Sequence, residues 1–284
     1  MTDGKYVKSH ILVLLLHNKT IHIMKFLTVV FLLVANCCLA QQWQAEVMVG
    51  TAGYSGDLSP ATINLKTMGP AVNINLKYLL PNNFIVLRGG IGYGKIQGND
   101  ANSKNADLKR RNLNFKTSIL EGSLCAEINL ADPEEYDGLP YLFAGVGVFH
   151  YNPYTYDNNN KKTFLQPLGT EGQGSVEYPN RFKYSLTKFC IPFGLGWKYK
   201  VNDTYDLVYE IGFRYTNTDY LDDVSSTYVN PQVLLANGGA EAVQLAWRYK
   251  TPATAVAGRI RGNPEAKDWY YMTGVKLVIK LGEQ

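Results

Sequence analysis

Four carboxylates are the first residues with chemistry to offer. Asp219, Asp222 and Asp223 lie in the stretch Asp219-Tyr220-Leu221-Asp222-Asp223, and Glu171 lies in a separate glycine-rich stretch. Together they could form the oxygen-rich cluster that a hard cation such as calcium takes. Their spacing is not that of an EF-hand loop. Asp and Ser also favour turns and helix N-caps, so a turn is the expected role. The glycine-rich stretch, Gly169-Thr170-Glu171-Gly172-Gln173-Gly174, is followed by neither a helix nor Lys-Ser/Thr, and so is not a phosphate loop. His150 is the single histidine beyond residue 40. A catalytic role would need a nucleophile and an orienting acid within hydrogen-bond reach. Ser175 or Ser185 with Glu171 or Glu177 are the available choices, and no spacing singles them out. We therefore expect no catalytic residue, no metal and no cofactor.

The elements that carry these residues are strands. Tyr205, Leu207, Tyr209, Ile211, Phe213 and Tyr215 alternate with Asp206, Val208, Glu210, Gly212, Arg214 and Thr216. Strand side chains point to opposite faces with period two, so one face is apolar and the other mostly polar or small. Similar alternation marks eight runs, near 43–51, 72–78, 85–93, 112–130, 141–151, 188–199, 205–216 and 269–281. The two faces of the fifth run are hard to tell apart. A short amphipathic helix is expected over 238–249. Connections are long after the first, third, fifth and seventh runs and short after the second, fourth and sixth. Outer-membrane barrels have even strand numbers, long external loops and short periplasmic turns, with aromatic residues at both membrane interfaces. The expected fold is all-β: an eight-stranded antiparallel transmembrane β-barrel with a periplasmic N-terminus. A soluble barrel of the lipocalin kind, with its apolar faces inward, is the competing fold.

In the membrane register Arg88, Glu121, Glu127, Glu210, Arg214 and Lys276 face inward. A narrow barrel is filled by side chains, and unpaired buried charge is costly. A structural salt-bridge plug is therefore expected rather than a conducting path. Cys125 and Cys190 also face inward, as small buried residues.

Met24-Lys25, the apolar run 26–34 and Cys38-Leu39-Ala40 read as a signal peptide over 24–40, with Met24 the natural start and 1–23 preceding it. The barrel domain is then 41–284. Beyond residue 40, 24 Lys and Arg face 23 Asp and Glu, so the basic character of the whole chain comes mostly from the leader. This near-neutral balance gives no support to a nucleic-acid partner. No small-molecule substrate is expected, and outer-membrane lipids are the expected surroundings.

The segments 140–152 (PYLFAGVGVFHYN), 167–174 (PLGTEGQG), 191–199 (IPFGLGWKY) and 218–225 (TDYLDDVS) resemble the PorG-like outer-membrane β-barrel proteins of Bacteroidetes. The resemblance covers most of the chain beyond the leader, and its most specific parts are the glycine-rich and DYLDDVS stretches. It implies an accessory subunit of the type IX secretion system, linked to periplasmic secretion-ring proteins and not an enzyme. It assigns no catalytic residue. Two alternatives stand beside it: a passive envelope barrel similar to OmpA, and a lipid-modifying enzyme built around His150.

Overall fold

The computed structural model describes residues 43–59, 63–64, 67–249 and 256–281. The predicted signal segment lies outside the described residues. Eight long strands form the wall: β1 (Trp43–Ser55), β2 (Met68–Leu79), β3 (Ile85–Asn99), β4 (Asn114–Asn129), β5 (Gly138–His150), β8 (Thr187–Lys200), β9 (Tyr205–Thr216) and β10 (Trp269–Lys280). Each pairs antiparallel with its neighbours in the order β3-β2-β1-β10-β9-β8-β5-β4, and β4 returns to β3 to close the ring. The register can be followed from Trp43 through Tyr78, Leu87, Ala126, Ala144, Phe193, Phe213 and Tyr271 back to Gly53. One circuit therefore advances ten residues along β1, the stagger that a closed barrel of tilted strands requires.

Alternation decides which side each residue takes. Val49, Ile74, Ile91, Leu124 and Val146 point outward and are 63–67 % exposed. Their neighbours Met48, Asn73, Asn75, Glu121 and Cys125 point inward and are buried. The competing soluble barrel would reverse these faces. The fifth run resolves in the same way, because Tyr141, Phe143 and Phe149 fill the interior while Leu142, Val146 and Val148 face out. Its ambiguity in the sequence came from aromatics on the inner face. Small residues opposite make room for them: a Cβ on Gly196 would meet the Tyr141 ring.

Only short turns join β2 to β3, β4 to β5 and β8 to β9, and these define one end of the barrel. The other end carries four long connections, as expected, but these hold more structure than the sequence reading assigned. The long connection expected between the third and fourth runs begins as strand, since β3 runs on to Asn99, and contains a helix, α1 (Ala106–Arg111). Inside the connection after β5 is a hairpin of β6 (Tyr154–Tyr156) and β7 (Lys162–Phe164). The expected helix over 238–249 is instead α2 (Pro231–Ala246), starting seven residues earlier. Its start is set by Asn230, whose side chain accepts the Gln232 N–H, and by Pro231 in the first turn. Gly239, at φ 74°, kinks it.

Candidate functional site: a charge-filled lumen beneath a closed cap

Every barrel strand contributes at least one polar side chain to a single lattice inside the lumen. Arg88 of β3 lies 2.8 Å from Glu127 of β4 and 2.6 Å from Glu210 of β9. Lys77 of β2 joins Glu46 of β1 at 3.1 Å and Glu127 at 2.9 Å. Lys276 of β10 joins Glu46 at 2.9 Å and Glu210 at 2.6 Å. Lys198 of β8 reaches Glu127 at 3.0 Å, and the Tyr141 hydroxyl of β5 donates to Glu210 at 2.5 Å. Four cations thus share three carboxylates, and each carboxylate serves cations from at least two strands. Lys198 stands where the lattice meets a vestibule of about 240 Å³ at the short-turn end, lined also by Lys77, Lys200 and Lys280.

A second, smaller cluster lies toward the long-loop end. Arg214 contacts Glu121 through Nε at 2.9 Å and Nη2 at 3.3 Å. The Tyr270 hydroxyl donates to the same carboxylate at 2.7 Å. The six inward charges expected from the sequence are all in these two clusters. Glu46, Lys77 and Lys198 complete the main lattice from inward faces that the same alternation gives them. Cys125 and Cys190 are buried free thiols, and the Cys190 Sγ lies 3.6 Å from the Tyr270 hydroxyl oxygen, whose proton goes to Glu121.

Above these charges Tyr54, Phe115, Phe149, Tyr151, Tyr270 and Met272 pack into a buried apolar layer, which continues upward through Tyr184, Leu221 and Val224. The rings of Tyr151, Tyr184 and Tyr220 stack in series, at centroid separations of 6.3 and 4.6 Å. This layer carries the cap, where the two sequence motifs meet.

Glu171 is their junction. Its carboxylate accepts the Ser225 N–H at 2.9 Å, the Ser226 hydroxyl at 2.6 Å and the Arg261 guanidinium at 2.8 Å. Asp223 accepts the Thr170 hydroxyl at 2.5 Å and the Tyr184 hydroxyl at 2.7 Å, and lies 3.6 Å from Arg261. Arg261 therefore ties the glycine-rich stretch to the DYLDDVS stretch from a third, distant segment. Left-handed backbone at Gly169, Gly172 and Gly174, with φ of 59°, 79° and 82°, folds the first stretch tightly enough to bury Thr170, Glu171 and Gln173. Gln173 holds the turn by accepting the Glu171 N–H at 2.9 Å. Asp222 makes the expected turn contact, accepting the Val224 N–H at 2.8 Å.

Of the carboxylates considered as a cation cluster, Glu171 and Asp223 share Arg261, Asp222 meets the Tyr54 hydroxyl and the Val224 N–H, and Asp219 stands apart from both. Among the described residues no group of three His, Cys, Asp or Glu side chains is arranged to hold a metal ion. His150 projects from the outer wall and pairs with the Thr187 hydroxyl at 3.1 Å. Ser175 bonds the Gly172 carbonyl, and Ser185 bonds the Thr187 carbonyl. No hydrogen bond joins His150 to either serine, Glu171 or Glu177 among the described residues.

A second group of cap carboxylates, Asp219, Asp222 and Asp268, forms no salt bridge among the described residues. The Tyr54 hydroxyl lies between Asp222, at 2.5 Å, and Asp268, at 3.4 Å, and has one proton to give. Burial, then the charge of Asp57, holds the Asp222 carboxyl well above the usual range. Burial and then Asp222 do the same to Asp268. Both carboxylate oxygens of Asp219 are buried without a good hydrogen bond. Burial pushes Asp219 up to about 7, with Ser225 only partly opposing it. Burial likewise raises Asp223 to about 6, against the pull of Arg261.

Fold and lumen define the class: a closed eight-stranded antiparallel barrel, apolar outside and ionic within. By family, the chain belongs to the one described as "Domain of unknown function (DUF6089)", whose model matches residues 24–168. No curated protein matches it. Among solved structures it is similar to Neisserial surface protein A, at 12 % identity over 84 % of this chain and 97 % of that one, with a TM-score of 0.41. A major outer membrane protein from Thermus thermophilus matches at 12 % identity, 84 % and 98 % coverage, and a TM-score of 0.39. Ail, the attachment invasion locus protein of Yersinia pestis, matches at 9 % identity, 84 % and 98 % coverage, and a TM-score of 0.37 in its complex with sucrose octasulfate.

Two outcomes follow for the two layers. Arg88→Met takes one cation from Glu127 and one from Glu210, each of which keeps at least one lysine, and should lower unfolding stability by about 1.5–3 kcal/mol, the range for hydrogen bonds to charged groups, read from denaturant midpoints. For the cap, the raised carboxyls are stabilising in their protonated form. That contribution is complete below the ordinary carboxylate range and is lost as pH rises through about 6 for Asp223 and about 7 for Asp219. Proteolysis of the cap should therefore quicken between pH 5 and pH 8, taken as roughly the range spanning those carboxyls. Asp219→Asn should flatten that rise, and an unchanged pH profile in the variant would reject the assignment.

Proposed function

We propose that the chain is an outer-membrane β-barrel acting as a non-enzymatic accessory subunit of type IX protein secretion. The observation that carries the membrane part is the outward apolar belt. Water does not favour a continuous ring of exposed Val, Leu, Ile and Phe around a whole barrel, whereas hydrocarbon does. Rows of aromatics bound the belt at both ends. Trp43, Tyr78, Trp197 and Tyr199 lie at the short-turn end, and Tyr93, Phe189, Tyr215 and Trp269 at the long-loop end. Trp43 packs on Tyr78 at 5.1 Å and Tyr215 on Trp269 at 4.9 Å. Such girdles mark the two membrane–water interfaces.

Secretion is supported by the resemblance of the two cap stretches to PorG-like barrels. The closed lumen fits an accessory role, since cargo would have to pass elsewhere. The short turns would face the periplasm together with the N-terminus, and ring subunits would dock there. His150, bonded to Thr187 at 3.1 Å, gives the lipid-modifying alternative little support.

Deleting the gene and comparing cell-free medium by mass spectrometry separates the roles. Loss from the medium of cargo bearing type IX sorting domains, with its accumulation in the periplasm, is the expected result. A normal secretome with a fragile envelope would point to a passive barrel instead.

A further inference from the structure

The rim of the barrel at the long-loop end is unevenly charged. The outward side chains of β3 and β4 continue past the apolar belt into cations. Lys95 stands two residues beyond Tyr93, and Lys116 four residues beyond Leu120. β4 is paired to β6 through Lys116 and Tyr154, so the β6–β7 hairpin extends the wall upward on this side. The hairpin adds Lys162, whose ammonium lies 4.0 Å from the Tyr154 ring centre and 4.8 Å from that of Phe164. Lys116 lies 5.8 Å from the Tyr156 ring centre.

Three properties set this patch apart. Lys95, Lys116 and Lys162 are exposed and form no salt bridge among the described residues. No outward acidic side chain lies on the loop-end half of any barrel strand. The cations alternate with half-exposed aromatics, since Tyr93, Tyr156 and Phe164 are 38–41 % exposed. At about 3.3 Å per residue and a tilt of roughly 40°, Lys95 stands about 5 Å above Tyr93 and Lys116 about 10 Å above Leu120. That is the level of lipid headgroups. Tyr93 sits at the boundary between tails and headgroups with Lys95 just above it, and the hairpin carries the same residue types higher, with Tyr154 level with Lys116 and Tyr156 level with Lys162, among the phosphates.

We propose that this rim, formed by Lys95, Lys116, Lys162, Tyr93, Tyr156 and Phe164, binds the phosphate-bearing headgroup of an outer-leaflet lipid. The inference rests on the membrane reading above. It assigns a binding surface to the β6–β7 hairpin, which has no part in the cap junction around Glu171. One side of the barrel would thereby carry a bound lipid.

The test uses the full barrel in phosphatidylcholine nanodiscs, titrated with bisphosphorylated lipid A and read by native mass spectrometry. The variant combines Lys95→Gln, Lys116→Gln and Lys162→Gln. A control combines Lys104→Gln, Lys109→Gln and Lys267→Gln. Each lysine near an anionic surface contributes about a factor of five in affinity, so the rim variant should bind about 100-fold more weakly. The control should match the unaltered protein, dephosphorylated lipid A should bind as weakly as to the rim variant, and arginine at the three positions should restore binding. Equal binding by the rim variant and the unaltered protein would overturn the proposal, as would equal binding of the dephosphorylated lipid. Competition by millimolar inorganic phosphate would also overturn it, by indicating a free-phosphate site. A chain that folds but does not enter the nanodisc would remove the membrane reading and this inference together. Normal insertion with indifferent lipid binding would remove only the inference.

Discussion

A buried charge must find a partner, and this barrel meets that constraint with a lattice drawn from all eight of its strands. Glu46, Lys77, Arg88, Glu127, Tyr141, Lys198, Glu210 and Lys276 are joined across the lumen by contacts of 2.5–3.1 Å. Removing any one leaves its partners in a medium that solvates them poorly. The lattice also specifies register. A slip of one residue on any strand would turn its charge outward and an apolar side chain inward. The outward belt depends on the same parity, so the ionic interior and the greasy exterior are two results of one alternation.

The layers above the lattice follow from it. With the lower lumen filled by ion pairs, the aromatic layer around Phe115, Phe149 and Tyr270 closes the barrel toward the loops. The cap rests on that layer and has an ionic junction of its own, Glu171–Arg261–Asp223. The two levels differ in charge balance. Cations outnumber carboxylates in the main lumen lattice, whereas in the cap Asp57, Asp219, Asp222 and Asp268 crowd together with too few cations, and burial raises all four. The crowded cap carboxyls accordingly make the cap's stability respond to pH near neutrality.

Strand existence, strand count and facing were legible in the sequence, because period-two alternation is a local property. Tyr205–Thr216 appears in the barrel with the bounds its pattern implied. The ends of strands were less legible. β3 and β4 pair as far as Asn99 and Asn114, where the sequence is already polar, because each supplies the other's hydrogen bonds. The β6–β7 hairpin has three residues per strand, too few to register as a period. The start of α2 was readable from Asn230-Pro231 but was overshadowed by the more helix-like stretch that follows. The two cap motifs were conspicuous from their glycines and aspartates. Their meeting was not, because Arg261 reaches Glu171 across ninety positions in sequence. Nothing in local pattern pairs an arginine with one carboxylate rather than another.

The claim on which the account depends most is that the lumen is a plug and not a path. Planar-bilayer recording of the purified full-length barrel tests it directly. With the lattice and aromatic layer in place, insertion should produce no steady conductance above the bare bilayer at either polarity. A stable, reproducible open level carrying ions through the folded barrel would contradict the account, because the shared carboxylates could not then fill the lumen as described.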